Sequence, residues 1–276
     1  MNKPVNLTLN IRGYLMQLDI PKVMGILNVT PDSFFADSRN ISEAKVRDRI
    51  YEMIKEGVDI IDVGGCSTRP GYQAPSLQEE WQRVKLGCTF VREIAPDMPL
   101  SLDTFRSEIA RMAIEEFGVD IINDISGGTD PEMWGLIAEK RVIYVLTHNP
   151  EIANYKDVTA ETITWLSKRL NELHRLGVND VVIDPGFGFA KSIEENFRLL
   201  DELDEIAQIG LPILAGLSRK SMIYKTLGCS SAEALTGTIV LDTVALLKGA
   251  DILRVHDVKE AVETVKLFSQ LKKKAL

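Results

Sequence analysis

The chain has few of the residues that staple small secreted or metal-held domains together. Of its 276 residues only three are cysteine and three histidine. Cys66, Cys88 and Cys229 are odd in number, widely spaced and in no CxxC or CxxH pattern, which argues against a disulfide framework or a zinc site and fits a reducing compartment. Long apolar runs are missing as well. Nothing approaches the roughly 20 residues of a membrane helix, and the opening MNKPVNLTLNIRGY lacks the continuous apolar stretch of a secretion signal. These absences predict a soluble, cytoplasmic protein with no membrane partner. An excess of positive charge is lacking too: 32 Lys and Arg stand against 40 Asp and Glu, a net −8. That balance argues against a nucleic-acid partner and confines any phosphate site to a local patch. No linker, low-complexity tract or domain boundary breaks the chain, so residues 1–276 are read as one domain.

What the sequence does have is an alternation of short β-rich apolar runs with longer stretches of helical spacing, the pattern of parallel βα units. Strands are predicted at 23–28, 59–63, 100–103, 120–124, 142–147, 181–184, 213–217 and 252–256. Helices are predicted at 42–56, 77–94, 107–117, 160–176, 193–209, 232–248 and 258–271, most of them closed by Gly57, Gly118, Gly177, Gly210 or Gly249. Eight units in a chain of this length predict a (β/α)8 barrel. The rival, an open doubly wound sheet, lacks support because no GxGxxG turn follows the first strand and no P-loop is present. Ahead of the barrel, Leu7, Leu9 and Ile11, then Met16, Leu18 and Ile20, alternate with mostly polar residues on either side of Gly13. This predicts a β-hairpin (residues 1–20) closing the N-terminal mouth. The basic tail KKKAL is predicted to fray.

Polar residues that a core would not choose fall at the predicted strand ends: Asn28, Asp62, Asp103, Asn123, Asp124, Thr147, His148, Asp184, residues 218–221, Arg254 and His256. In a (β/α)8 barrel these ends share one mouth, where that fold does its chemistry. Arg254 and His256, two apart on one strand, point to the same side. Bland readings stand beside the functional ones. Arg254 could cap the barrel in a salt bridge, Asp103 and Asp184 could cap the helices that follow them, and Ser221 could be a plain N-cap. Residues 29–40 and 64–76 are long Gly- and Pro-containing segments of the kind that cover barrel mouths, with Phe34 and Phe35 either lid or core.

At the same places the sequence reads NVTPDSF (28–34), GGCSTRPG (64–71), SLDT (101–104), NDIS (123–126), DPGFGF (184–189), SRKS (218–221) and RVH (254–256). In this order and spacing the chain resembles the dihydropteroate synthases, over residues 23–265. The resemblance implies an alkyl/aryl transferase of folate biosynthesis that displaces pyrophosphate from a dihydropterin methyl diphosphate with the amine of p-aminobenzoate, by a dissociative route, and that sulfonamides inhibit. It implies Mg²⁺, with Asn28 beside the metal and Asn28, Arg69, Arg254 and His256 around the pyrophosphate. Asp103, Asn123, Asp184 and Lys220 correspond to pterin contacts, and Asp103, Lys220 and Arg254 to catalytic positions. Thr68, Arg69, Pro70, Gly188, Phe189, Lys220 and Ser221 correspond to the p-aminobenzoate site. A homodimer through barrel helices is implied, with residues 235–247 a candidate face. Three places depart from the family: Cys66 where Glu is common, Arg39 in a loop that usually reads SDGG, and Thr147, His148 and Asn149 in a segment that usually contains Met-His. A methyltetrahydrofolate–corrinoid methyltransferase would share the Asn and Asp contacts but has no use for STRPG or SRKS. A non-catalytic pterin carrier has no need of Asp103, Lys220 and Arg254 together.

Overall fold

The computed structural model describes residues 7–29, 39–66, 74–151 and 154–272, the side chains of 39–42 and 272 excepted. It opens with an antiparallel hairpin, β1 (Thr8–Ile11) and β2 (Tyr14–Gln17). Both turn residues, Arg12 and Gly13, have positive φ (50° and 88°), the backbone that matches the twist of a two-residue hairpin. Eight parallel strands follow: β3 (Lys22–Asn28), β4 (Ile60–Gly64), β5 (Leu100–Asp103), β6 (Ile121–Asp124), β7 (Ile143–Thr147), β8 (Val181–Asp184), β9 (Leu214–Ala215) and β10 (Ile252–Val255). They pair in chain order from β3 to β8, and β10 lies between β3 and β9. A parallel bridge from Ile183 to Ile213 joins β8 to the β9 segment and closes the cylinder. Around it run α1 (Arg39–Glu56), α2 (Leu77–Ile94), α3 (Ser107–Phe117), α4 (Met133–Lys140), α5 (Val158–Arg175), α6 (Ile193–Asp201), α7 (Leu203–Ile206), α8 (Ser221–Leu227), α9 (Leu235–Leu247) and α10 (Val258–Lys272). The fold is the predicted (β/α)8 barrel.

Two cores follow from the period-two alternation of the strands. Outward residues such as Leu27, Val63, Leu102, Ile122, Tyr144 and Ile183 pack beneath the helices. Inward residues at the lower end of the strands, among them Met24, Ile60, Ile121, Val182 and Ile252, pack on Leu9, Ile11 and Leu18 of the hairpin. The hairpin therefore plugs the bottom of the barrel, as its sequence pattern predicts. It is pinned there by Arg12, whose guanidinium lies 3.0 Å from Asp120 and donates to the Asp97 carbonyl at 2.9 Å. Ile20 does not belong to the plug: it is exposed, because β2 ends at Gln17 and the alternation stops there.

Most predicted helices stand to within a few residues, and all five predicted terminal glycines have positive φ. Three differences matter. The stretch 193–209 is broken into α6, α7 and a 3-10 turn (Ala207–Ile209). Leu200, Leu203 and Ile206 are all buried at three-residue spacing, which suits a tighter winding than a continuous α-helix. Helices α4 and α8 were not predicted, each being short. Arg39, predicted in a loop, starts α1. Residues 30–38, including Phe34 and Phe35, and the KKKAL tail beyond Lys272 lie outside the described residues.

Candidate active site

Going up each strand, the inward positions change from apolar to polar. On β4 the order is Ile60, Asp62, Gly64; on β6, Ile121 then Asn123; on β8, Val182 then Asp184; on β10, Ile252 then Arg254. The lower members seat on the hairpin, and the upper ones, together with Ser101 and Asp103 of β5, form a buried polar network below the C-terminal mouth. Arg254 is its hub: Nε donates to Asp62 Oδ2 at 2.7 Å and Nη2 to Asp103 Oδ2 at 2.6 Å. Asp62, wholly buried, also accepts from Ser101 Oγ at 2.6 Å and Asn123 Nδ2 at 3.1 Å. One carboxylate thus fixes both the arginine and the amide, which satisfies groups that would be costly to bury alone.

The electrostatics follow from one guanidinium shared by two carboxylates. Burial works against the Arg254 charge, but Asp62 and Asp103 outweigh it and hold the guanidinium above its ordinary value. Burial pushes the Asp103 carboxyl up, Arg254 opposes it, and Asp62 and Asp124 add to the rise. Asn28, at the end of β3, stands beside this group: a Cβ added to Gly64 would lie 3.0 Å from Asn28 Oδ1 and 3.7 Å from Asp103 Cβ. Glycine at 64 leaves that space open.

Across the mouth, Asp184 ends β8 and accepts the Gly186 N–H at 2.7 Å. Burial raises its carboxyl, while Lys220 lowers it. Lys220 donates through Nζ to the Phe187 carbonyl and lies 4.6 Å from the centre of the Phe189 ring. A Cβ on Gly188 would come within 2.9 Å of Lys220 Cδ. Burial depresses the Lys220 ammonium to about 8, with Asp184 pulling the other way. Ser221 is not an N-cap; Lys220 holds that position and Ser221 is the first residue of α8. Nor do Asp103 and Asp184 cap helices, since their carboxylates are engaged by Arg254 and Gly186. The salt-bridge reading of Arg254 does hold, but inside the barrel. His256 stands exposed past the end of β10, its Nδ1 3.0 Å from Ser218 Oγ. Thr68, Arg69 and Pro70 lie outside the described residues.

Residues that the sequence reading passed over also enter. Asp62, one of the strand-end acids, organises the network. Ser218 seats His256. Arg219, with φ 56°, grips Asp257 through two bonds of 2.9 and 2.8 Å and so ties the Lys220 loop to the end of β10. Lys191 lies half-buried under the 186–190 turn. Of the departures from the family, Cys66 has its thiol raised by burial, with Glu80 and Asp103 adding to the effect, which disfavours a reactive thiolate. His148 is kept neutral by burial, which depresses it to about 3; it packs edge-on against Trp165 with ring centres 5.1 Å apart. Thr147, in register with Asp184, is buried with its hydroxyl unpartnered among the described residues.

A parallel eight-stranded barrel with acid, amide, arginine and lysine groups at its C-terminal mouth defines a (β/α)8-barrel enzyme. Residues 24–256 match the family described as pterin binding enzyme. The chain is 43% identical to a dihydropteroate synthase of Streptococcus pyogenes, over 90% of this chain and 95% of that one. It is 39% identical to the dihydropteroate synthase of Escherichia coli, over 93% of each. A solved structure of Xanthomonas albilineans dihydropteroate synthase with 4-aminobenzoic acid superposes with a TM-score of 0.91 at 36% identity, covering 97% of this chain and 98% of that one. The chain belongs to the dihydropteroate synthase family of pterin-binding enzymes.

Proposed function

We propose that this chain transfers the (7,8-dihydropterin-6-yl)methyl group from its diphosphate to p-aminobenzoate, releasing pyrophosphate, with residues 1–276 acting as one pterin-binding barrel domain in the cytoplasm. The observation that carries the reading is the cluster of Arg254, Asp62, Asp103 and Asn123 opening on the same mouth as Asp184 and Lys220. A flat amino-pyrimidinone edge presents donors beside acceptors, which the Asp184 carboxylate, the Asn123 amide and the Lys220 ammonium match in kind. In the reaction the C–O bond of the methylene breaks and its electron pair leaves with pyrophosphate. The arylamine nitrogen then forms the C–N bond and gives up a proton. Positive charge spreads into the pterin as the leaving group departs, and the fixed Asp103 carboxylate stabilises it, which favours a dissociative path.

Arg254, Asn28 and His256, with Arg69, form the pyrophosphate side. Gly188, Phe189, Lys220 and Ser221, with Thr68, Arg69 and Pro70, form the p-aminobenzoate side, the Phe189 ring offering an apolar wall. Among the described residues no group of three His, Cys, Asp or Glu side chains could hold a metal. A lone amide oxygen at Asn28, facing the gap left by Gly64, fits an ion that keeps its waters and takes most ligands from substrate phosphates, as Mg²⁺ does. Asn28 would hold it, and it would neutralise charge building on the leaving pyrophosphate. A homodimer through α9 is consistent with exposed Val240 and Leu247.

The test is pyrophosphate release measured with each component omitted in turn. Release is expected only with Mg²⁺, the pterin diphosphate and p-aminobenzoate together, and sulfonamides should compete with p-aminobenzoate. Corrinoid-dependent methyl transfer without pyrophosphate would select the methyltransferase reading instead.

A further inference from the structure

The turn after β8, residues 184–191, reads DPGFGFAK, and it is strained. Gly186, Gly188 and Ala190 all have positive φ, of 74°, 80° and 47°, and at Ala190 a side chain makes that conformation unfavourable. Such a turn persists only where its surroundings fix it. Within the turn, Phe189 N–H donates to the Gly186 carbonyl at 3.1 Å, and the buried Asn196 Oδ1 receives the Gly188 N–H at 2.6 Å. The turn is also pressed on the end of β7: a Cβ at Gly186 would fall 2.0 Å from the His148 carbonyl oxygen.

Under it lies Lys191. Its Nζ donates to the carbonyls of Gly186 at 2.9 Å, His148 at 3.3 Å and Phe189 at 3.3 Å. Three ammonium protons meet three acceptors, two from the turn and one from His148, the residue after β7. Asn196 Nδ2 donates in turn to the Lys191 carbonyl at 3.2 Å. What the turn shows to the mouth is the Phe187 carbonyl that receives Lys220, the Phe189 ring beside the same ammonium, and Gly188 against the Lys220 stem. Asp184, by contrast, ends β8 in register with Thr147, and its carbonyl accepts the His148 N–H at 2.9 Å, so the ladder fixes its backbone and its carboxylate meets the turn at the Gly186 N–H.

We propose that Lys191 is a positioning residue for the arylamine half of the site: by tying the 186–190 turn to the end of β7 it sets where Gly188 and Phe189 stand, while the pterin-facing Asp184 is set chiefly by its own strand. This rests on the function proposed above. A half-buried ammonium is a costly way to hold a turn, since desolvation depresses Lys191 to about 7; its three carbonyl partners account for its being there.

The experiment is steady-state pyrophosphate release by wild type, Lys191→Met and Lys191→Gln, varying each substrate separately, with thermal melts alongside. Lys191→Met is expected to raise KM for p-aminobenzoate by about tenfold while KM for the pterin diphosphate moves by less than about threefold, the loss of charge-assisted bonds being local. Lys191→Gln, which can still donate to one or two carbonyls, should fall between Lys191→Met and wild type. Two KM values rising together, neither rising, or both variants failing to fold would make Lys191 a general structural residue and overturn the proposal. A wild type that releases no pyrophosphate defeats the function reading itself, an outcome separate from an active wild type whose variants show no split.

Discussion

Arg254 and Asp62 sit on strands far apart in the chain yet are joined at 2.7 Å inside the barrel, and the other arm of the same guanidinium reaches Asp103 at 2.6 Å. Only a planar fork bridges two carboxylates this way. Arg254→Lys is therefore expected to keep the fold but lower kcat/KM in pyrophosphate release by about 10²-fold. An activity within about threefold of wild type would mean that one point charge suffices and the bridge is incidental.

Removing Asp62 attacks the same network from below. Asp62→Ala leaves the guanidinium with a single carboxylate and Asn123 without its anchor, so a loss of about 3–5 kcal/mol in unfolding free energy is expected, with Asp62→Asn costing less. Urea denaturation of the two variants checks the order; equal losses would show that the Asp62 charge is not what matters.

Lys220 ties pH to binding. Its ammonium loses its proton as pH rises through about 8, and the neutral amine is the poorer partner for Asp184 and for a ligand carbonyl. Pterin affinity measured by calorimetry should weaken across pH 7 to 9. In Lys220→Ala the affinity should be low throughout with the melting temperature preserved, and an unfolded variant would make the side chain structural.

Asp242 on α9 is buried, one of its oxygens has no hydrogen-bond partner among the described residues, and burial, with Asp257 adding, pushes its carboxyl up to about 8. Its folded value lies above the unfolded one, so its contribution is intact below about pH 4 and is lost as pH rises toward 8. Asp242→Asn should raise the melting temperature at pH 8 by a few degrees, about 1–3 kcal/mol, and do little at pH 4. The same gain at both pH values would rule out ionisation as the cause.

The hairpin plug can be weakened without touching the mouth. Leu9→Ala removes a side chain that is 1% exposed and should cost about 2–5 kcal/mol. The kcat of the folded fraction should stay near wild type. A parallel loss of kcat would show that the bottom of the barrel shapes the top.

Much of this was legible because the relevant signals are periodic. Strand alternation placed Asp62, Asp103, Asn123, Asp184 and Arg254 at one end of the barrel, and the hairpin pattern around Gly13 placed the plug. What escaped was set by contacts between distant segments. Asp62 looks like any strand-end acid until Arg254, 192 residues on, is seen to fold onto it. Lys191 follows a Gly-rich turn and reads as a loop charge, because its partners are backbone carbonyls that carry no sequence signature. The α4 and α8 helices are too short for their period to register, and the break at Glu202 comes from which leucines the barrel can accept.

The closure of the barrel is uneven. Seven strands have ladders of several pairs, whereas β9 is two residues long, pairs with β10 at two positions and meets β8 at the single Ile183–Ile213 bridge. Asp184 and Arg254 rise on either side of that thin stave, and Lys220 follows it in the chain. Amide protons there should exchange with solvent sooner than those of β4 or β6, so two of the groups assigned to the pterin, Asp184 and Lys220, stand at the seam that, among the described residues, is best able to breathe without opening the rest.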